Sequence, residues 1–174
     1  MTDDADAWNR LAALLPAAEA QEFRDCWSIG EQEAGLGLLV SGLLTHQMAI
    51  SETVRAQIFV LTEAWGEREA LAPRILQCRA DGAAPDVKLI EDDGGTVSGA
   101  TVQAERSLAD LVLVPWIICM RCGQVLMRAH DREDWGGLSY RARHYVITSP
   151  GRATALQLFS ADAVNDAFAA LRHG

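Results

Sequence analysis

The spacing of apolar residues changes from a helical period to a strand-like period near residue 72, and this change most constrains the fold. Before it, apolar residues recur at i, i+3, i+4 and i+7, as on one face of a helix. The clearest set of this kind is Trp8, Leu11, Ala12 and Leu15. After it, short apolar runs alternate with turn signals, which is typical of strands. The helical period returns after Ser160. The apolar residues of that last segment are Val164, Ala167, Phe168 and Leu171.

Helices and strands that occupy separate parts of a chain predict an α+β fold. We expect an N-terminal helical hairpin or small bundle, an antiparallel β-sheet, and a C-terminal helix packed on the sheet. The predicted regions are a helical one at 1–72 and a β-rich one with the C-terminal helix at 73–174. We expect these regions to form one compact unit.

Glycines interrupt the most apolar helix of the first region, at positions 30, 35, 37 and 42. Each glycine inside a helix costs roughly 1 kcal/mol relative to alanine, so close helix packing or a bend is expected there. A shorter helix is predicted over 20–27, running on with a kink at Gly30. A further helix is predicted between Ser51, a favourable N-cap, and Gly66, a favourable residue to end it.

The predicted strands follow Pro73 as short apolar segments. They are 74–79, 87–91, 111–119, 124–130, 145–148 and 153–159. The continuous apolar run of 111–119 predicts a strand buried on both faces. Pro115 within it predicts a bulge or an edge position, and an edge strand would permit a homodimer. The sequence Asp92-Asp93-Gly94-Gly95 is a turn signal.

Composition and charge limit the classes of partner. The chain has 174 residues, 49% of them hydrophobic, and a net charge of -9. This acidity argues against binding to nucleic acid or to an anionic membrane, which both need a basic face. The N-terminus is acidic and unlike a secretory signal, and the longest apolar run, 111–120, is shorter than the roughly 20 residues that span a bilayer. We therefore expect a cytoplasmic protein whose cysteines are reduced thiols or metal ligands.

The acidity is concentrated at the N-terminal end. Up to Gly35 the acidic residues number eight and the basic residues two, Arg10 and Arg24, a difference of minus six. The eight are Asp3, Asp4, Asp6, Glu19, Glu22, Asp25, Glu31 and Glu33. An acidic face of this kind would attract a basic protein partner, with Trp8 or Trp27 as aromatic anchors. The alternative is that both tryptophans are core residues and the charges are a solvated face.

Residues 25–66 carry a resemblance to a known family. The matching features are Gly30-Glu31-Gln32-Glu33, the Leu-rich run to Leu44, Ile50-Ser51-Glu52 and Trp65-Gly66. This segment resembles the small helical immunity proteins of bacterial polymorphic toxin systems, in particular the MafI-type group. The resemblance implies an antitoxin that binds a basic toxin domain. The residues expected to bind this partner are Glu22, Asp25, Trp27, Glu31 and Glu33.

Cys119-Met120-Arg121-Cys122-Gly123 lies between two strand-like runs and can present two sulfurs to one metal ion. A complete zinc site needs four ligands. The remaining candidates are Cys78, Cys26, His130 and His144, and we expect the set Cys78, Cys119, Cys122 and His130. This alternative makes the chain a small protein in which zinc has a structural role. Two inert buried thiols, or a redox pair, are the other interpretations.

The sequence contains no phosphate-binding loop, His-Glu-x-x-His motif or Gly-x-Ser-x-Gly motif. We therefore expect a non-enzymatic protein without a cofactor, apart from the zinc of the alternative. The weakest hypothesis is an acid/base pair of His130 and His144 near Asp131 or Asp134.

Overall fold

The computed structural model describes residues 2–90, 95–102 and 106–174, except for the side chains of residues 2–4 and 106. The chain divides into two compact units, Met1–Ala84 and Pro85–Gly174. The first consists of helices, and the second contains an antiparallel sheet and the last helix. The predicted α+β class is confirmed, and so is the order of its elements.

The first unit contains five helices within the described residues. They are α1 (Thr2–Ala12), α2 (Ala17–Ile29), α3 (Gln32–Thr45), α4 (Glu52–Ala64) and α5 (Arg68–Gln77). Gly30 has a φ of 83°, so α2 ends there and no kinked helix runs through it. Ser51 caps α4 as predicted, because its side chain accepts a hydrogen bond from the Val54 N–H. Gly66 follows the end of α4 with a φ of 78°.

The prediction of a strand at 74–79 is wrong, because most of this segment belongs to α5. Pro73 lies inside the helix rather than at its boundary. Leu71 and Ile75, one helical turn apart, are both buried. The buried Arg55 of α4 donates hydrogen bonds to the carbonyls of Ile75 and Cys78, at 2.6 and 2.8 Å. These bonds supply a charged donor to two carbonyls at the C-terminal end of α5, where intrahelical donors are missing. The Ile75 carbonyl also accepts a hydrogen bond from the Cys78 N–H, at 3.1 Å.

Close helix packing, which the glycines of α3 predicted, is confirmed at two positions. A Cβ added at Gly35 would lie 2.7 Å from Cζ2 of Trp8, and one at Gly42 would lie 2.7 Å from Cδ2 of Leu15. A Cβ at Gly37 would meet nothing within 4 Å. Gly35 and Gly42 therefore allow α3 to approach the residues of α1 and the α1–α2 turn.

The second unit is built around an antiparallel sheet. Its strands are β1 (Val87–Leu89), β2 (Val97–Ser98), β3 (Val112–Cys119), β4 (Val125–His130), β5 (His144–Thr148) and β6 (Ala155–Ser160). The strand order is β1-β3-β4-β5-β6, and β2 also pairs with β3. Two short 3-10 helices, Gly99–Thr101 and Arg106–Leu108, precede β3. Residues 92–94 of the predicted turn lie outside the described residues.

Strand β3 is central, and this placement tests the two interpretations of Pro115. The pairing of β3 with β4 shifts register between Pro115 and Ile117, which confirms the predicted bulge. The edge position is wrong, because β3 pairs with β4 on one side and with β1 and β2 on the other. The edge strand that would permit a homodimer is therefore not at Pro115. The homodimer itself stays a prediction.

The sheet carries a buried apolar cluster and the last helix. On one face, Leu113, Met127 and Val146 form a cluster with Leu108. Helix α6 (Val164–His173) also lies on the sheet and contacts β4, β5 and β6. Its buried residues are the four predicted ones, Val164, Ala167, Phe168 and Leu171. Within the described ranges, none of the helices has both the length and the apolar character needed to span a bilayer.

Candidate functional sites

The exposed side of α2 carries acidic residues around an apolar one. Glu22, Asp25 and Ile29 follow the spacing i, i+3, i+7, which places them on one helix face. All three are exposed, and Ile29 is 67% accessible to solvent. Glu31, also exposed, follows the turn at Gly30. We call Glu22, Asp25, Ile29 and Glu31 the acidic face.

The charges of the acidic face act on a common point, the buried thiol of Cys26. Burial raises the pKa of Cys26, and the negative charges of Glu31, Glu22 and Asp25 raise it further. These influences favour the neutral thiol of Cys26 over its thiolate. The carboxylates of Glu22 and Asp25 lie on one exposed side of α2, and Glu31 follows the end of this helix. Their role in binding a partner stays a prediction.

Trp27 and Glu33 differ from the other predicted partner-binding residues. Trp27 is five residues after Glu22, which places it on the other side of α2, and its ring centroid is 5.3 Å from that of Trp8. Glu33 is exposed in the first turn of α3, where the helix dipole favours a carboxylate. Neither residue belongs to the acidic face. Trp27 is half-buried against α1, so the structure does not present it as an anchor.

Trp8, the other proposed anchor, is a core residue. It is 1% exposed, its ring stacks on Phe23 with centroids 4.0 Å apart, and its Nε1–H donates to the Phe23 carbonyl at 2.9 Å. Of the two interpretations of Trp8, the core residue is confirmed and the exposed anchor is wrong, because the indole fills the space that Gly35 leaves open. The exposed apolar residue of this region is Ile29, which the sequence reasoning missed.

The turn after β3 brings the two cysteines of the Cys-x-x-Cys motif together. Cys119 is fully buried and Cys122 is half-buried. Burial, the largest influence, raises the pKa of Cys119. Hydrogen bonds from the N–H and side chain of Cys122 and from the N–H of Arg121, together with the positive charge of Arg121, outweigh burial and lower it. The net effect favours the thiolate of Cys119.

The other two predicted zinc ligands do not join this pair in a described metal site. Cys78 lies in the first unit, where its thiol donates to the Arg74 carbonyl at 3.7 Å and burial raises its pKa. His130 pairs with Val112, at the opposite end of the β3–β4 hairpin. With a rise of about 3.4 Å per residue, it lies roughly 17 Å along β4 from the turn. Among the described residues, no three His, Cys, Asp or Glu side chains form a group that could hold a metal ion.

The two histidines lie at the two ends of the loop between β4 and β5. His130 is 3% exposed, and its Nδ1 hydrogen-bonds the Ser139 carbonyl at 2.8 Å. Asp131 forms an ion pair with Arg143 at 3.3 Å. His144 pairs with Ala129, next to His130 in the sheet. The contacts of His130 and Asp131 hold the two ends of the loop together.

Comparison of the chain with protein-family models, with curated proteins and with solved structures finds no match.

Proposed function

We propose that this chain is a non-enzymatic binding protein of the cytoplasm, and that its acidic face binds a basic protein partner as an immunity protein binds its toxin. The observation that supports this proposal is that the exposed carboxylates of Glu22 and Asp25 share one face of α2 with Ile29, which is 67% exposed. The net charge of -9 has the same sign. The resemblance of residues 25–66 to MafI-type immunity proteins supplies the class of partner.

The acidic face has the two components that a binding surface needs. Its carboxylates attract a basic surface over long range and accelerate association, an effect that salt weakens. Ile29 supplies apolar area that is still exposed. Complete burial of an isoleucine side chain contributes about 1.5–3 kcal/mol, so burial of the exposed two thirds would contribute about 1–2 kcal/mol. Charge would thus control the rate of association, and Ile29 would lengthen the lifetime of the complex.

The test is a growth assay in a bacterial host. The open reading frame next to that of this chain is expressed with and without the chain, and growth is measured. We expect the neighbouring product to arrest growth and the chain to restore it. A neighbouring product that is not toxic, or toxicity that the chain does not relieve, would refute the immunity part of the proposal.

A pair of matched variants then tests the surface. Glu22→Lys with Asp25→Lys reverses two charges of the acidic face. Glu133→Lys with Asp134→Lys makes the same change in net charge on an exposed loop of the second unit. We expect the first variant to lose rescue and the second to retain it. Equal rescue by both variants would show that another surface binds the partner.

Binding measurements with the purified partner separate the two components. Ile29→Ala should mainly increase the dissociation rate, by about 5- to 30-fold for a loss of 1–2 kcal/mol. The reversal of Glu22 and Asp25 should mainly decrease the association rate and weaken its dependence on salt. Far-UV circular dichroism of each variant confirms that the helices remain folded.

A further inference from the structure

Strand β6 lies at one end of the sheet and is exposed over much of its length. In the strand order β1-β3-β4-β5-β6 it pairs with β5, and its other side is an edge of the sheet formed by the described residues. Leu156 is 48% exposed, Leu158 is 36% exposed, and Gln157 between them is also exposed. Because neighbouring residues of a strand point to opposite faces, Gln157 and Leu158 show that both faces of β6 reach solvent.

The pairing of β6 with β5 is regular over most of the strand. Residues 157–160 pair with 144–147 in one continuous register, and the register shift lies outside these pairs. Leu158 is opposite Val146, a fully buried member of the apolar cluster on the sheet. Since directly opposed residues of two antiparallel strands share a face, Leu158 extends this apolar surface as far as the edge.

The two ends of the sheet differ in how they are protected. Open edges can pair with another chain, and natural proteins prevent this with short edge strands and with charged residues, especially lysine. The strand β1 has three residues, and its exposed central residue is Lys88, the only lysine of the chain. The strand β6 has six residues, and none of them is charged. The edge at β6 therefore lacks the length limit and the charge that protect β1.

We propose that β6 is a dimer interface, at which the β6 strands of two copies of this chain pair antiparallel about a two-fold axis. Such a contact presents the same surface twice, and the uncharged β6 brings no like charges together although each chain has a net charge of -9. Arg152 precedes β6 and Asp162 follows it. An antiparallel arrangement directs the arginine end of one strand toward the aspartate end of the other, so the flanking charges are complementary.

The size of β6 predicts a weak and reversible dimer. Backbone hydrogen bonds would join the two strands, and Leu156 and Leu158 of both copies would lose exposed apolar surface. However, six residues per copy are far fewer than the roughly 20–30 residues that each partner contributes to a standard stable interface. We therefore expect an equilibrium between monomer and dimer that depends on protein concentration.

The test is the mass of the full chain in solution, measured by sedimentation velocity over a rising series of protein concentrations. We expect one reversible equilibrium between monomer and dimer. Leu158→Lys places a charge on the edge of each copy, as Lys88 does on β1, and should weaken dimerisation at least about 10-fold. Leu76→Lys is the matched control, because Leu76 is a 52% exposed leucine of α5 in the first unit. This variant should dimerise as the original chain does.

Three results of this measurement would overturn the proposal. The first is an original chain that stays monomeric at every concentration, and the second is a Leu158→Lys chain that dimerises as strongly as the original. The third is growth beyond the dimer, because open-ended assembly requires pairing of two unlike surfaces. The measurement uses this chain alone, so its result does not depend on the function of the acidic face.

A disulfide test determines the orientation of the two strands. In an antiparallel pairing about a two-fold axis, residues near the middle of β6 lie close to their own counterparts, whereas those at its ends are more than about 10 Å apart at 3.4 Å per residue. A disulfide requires Cα atoms within about 7 Å. Under mild oxidation, Gln157→Cys should therefore give far more linked dimer than the original chain, and Ser160→Cys should not. Equal yields from the two variants would refute the antiparallel arrangement.

Discussion

Substitution of Gly35 by alanine tests whether this glycine sets the close packing of α3. The new Cβ would lie 2.7 Å from Cζ2 of Trp8 and 3.0 Å from Cβ of Cys26. The first distance is about 0.8 Å short of the lower limit of favourable carbon contacts, near 3.5 Å. Trp8 cannot move away easily, because its ring is buried, stacks on Phe23 and is hydrogen-bonded to the Phe23 carbonyl.

Two effects of opposite sign determine the stability of this variant. Alanine is favoured over glycine in a helix by about 1 kcal/mol, whereas overpacking of a core costs about 1–3 kcal/mol. The net expectation for Gly35→Ala is a change between zero and a loss of about 2 kcal/mol. Gly37→Ala is the matched control in the same helix, because its Cβ would meet nothing within 4 Å. It should stabilise the chain by about 0.5–1 kcal/mol.

The assay is urea unfolding followed by tryptophan fluorescence and far-UV circular dichroism, with the midpoint and slope fitted for each variant. The gain from helix propensity is common to both variants, so it cancels when their free energies of unfolding are subtracted. The remaining difference is the packing effect, about 1–3 kcal/mol. If Gly35→Ala is as stable as Gly37→Ala, the contact with Trp8 does not limit the approach of α3. The reasoning from the Cβ distances would then be refuted.

Three further predictions concern single side chains. Arg55→Ala should lower the free energy of unfolding by about 3 kcal/mol, because it leaves the carbonyls of Ile75 and Cys78 without their charged donor. An unchanged midpoint of urea unfolding would contradict this. Ser51→Ala should lower the free energy of unfolding by about 1 kcal/mol, and Ser51→Gly by only a few tenths of a kcal/mol. Equal losses for the two variants would argue against a capping role of Ser51. The hydrogen bond from the Ser160 hydroxyl lowers the pKa of Asp162 below its ordinary value of 3.8. A nuclear magnetic resonance titration of Asp162 should therefore give a midpoint below 3.8. The ionised carboxylate stabilises the folded chain above the pKa that Asp162 has in the unfolded chain. This contribution is lost as the pH falls through the pKa of Asp162 in the folded chain.

Most of the fold could be predicted from local patterns, because helices and strands leave periodic traces. The bulge at Pro115 and the cap at Ser51 are local effects of single residues, and both are confirmed. The prediction of a strand at 74–79 is wrong because Pro73 was interpreted as the boundary between helices and strands, whereas it lies inside α5. What favours the helix there is the contact of Arg55 with the end of α5, and a contact between distant residues leaves no local pattern.

The candidate sites were less predictable, because burial of a side chain depends on what packs against it. Trp8 and Trp27 both lie near acidic residues in the sequence, yet Trp8 fills the space at Gly35. Ile29 was missed because an isolated apolar residue resembles a core residue. Its spacing of seven from Glu22 was the signal that could have placed it on the acidic face.

The position of His130 could have been predicted from strand length alone. A strand that begins just after the turn of Cys119 and Cys122 carries its last residue away from that turn, at about 3.4 Å per residue. The tight turn that contains Cys119 and Cys122 was predictable from the sequence. The hydrogen bond from the Arg121 side chain to the Arg172 carbonyl was not, since it depends on where α6 ends.

The order of the strands has a consequence for the kinetics of folding. From β3 to β6, each strand pairs with the next one in the chain, so this part of the sheet forms through local contacts, which favour fast folding. The strands β1 and β2 both pair with β3, and the chain between β1 and β3 includes two short 3-10 helices. We therefore expect the hairpins from β3 to β6 to form first, and β1 and β2 to add to them in a later, slower step.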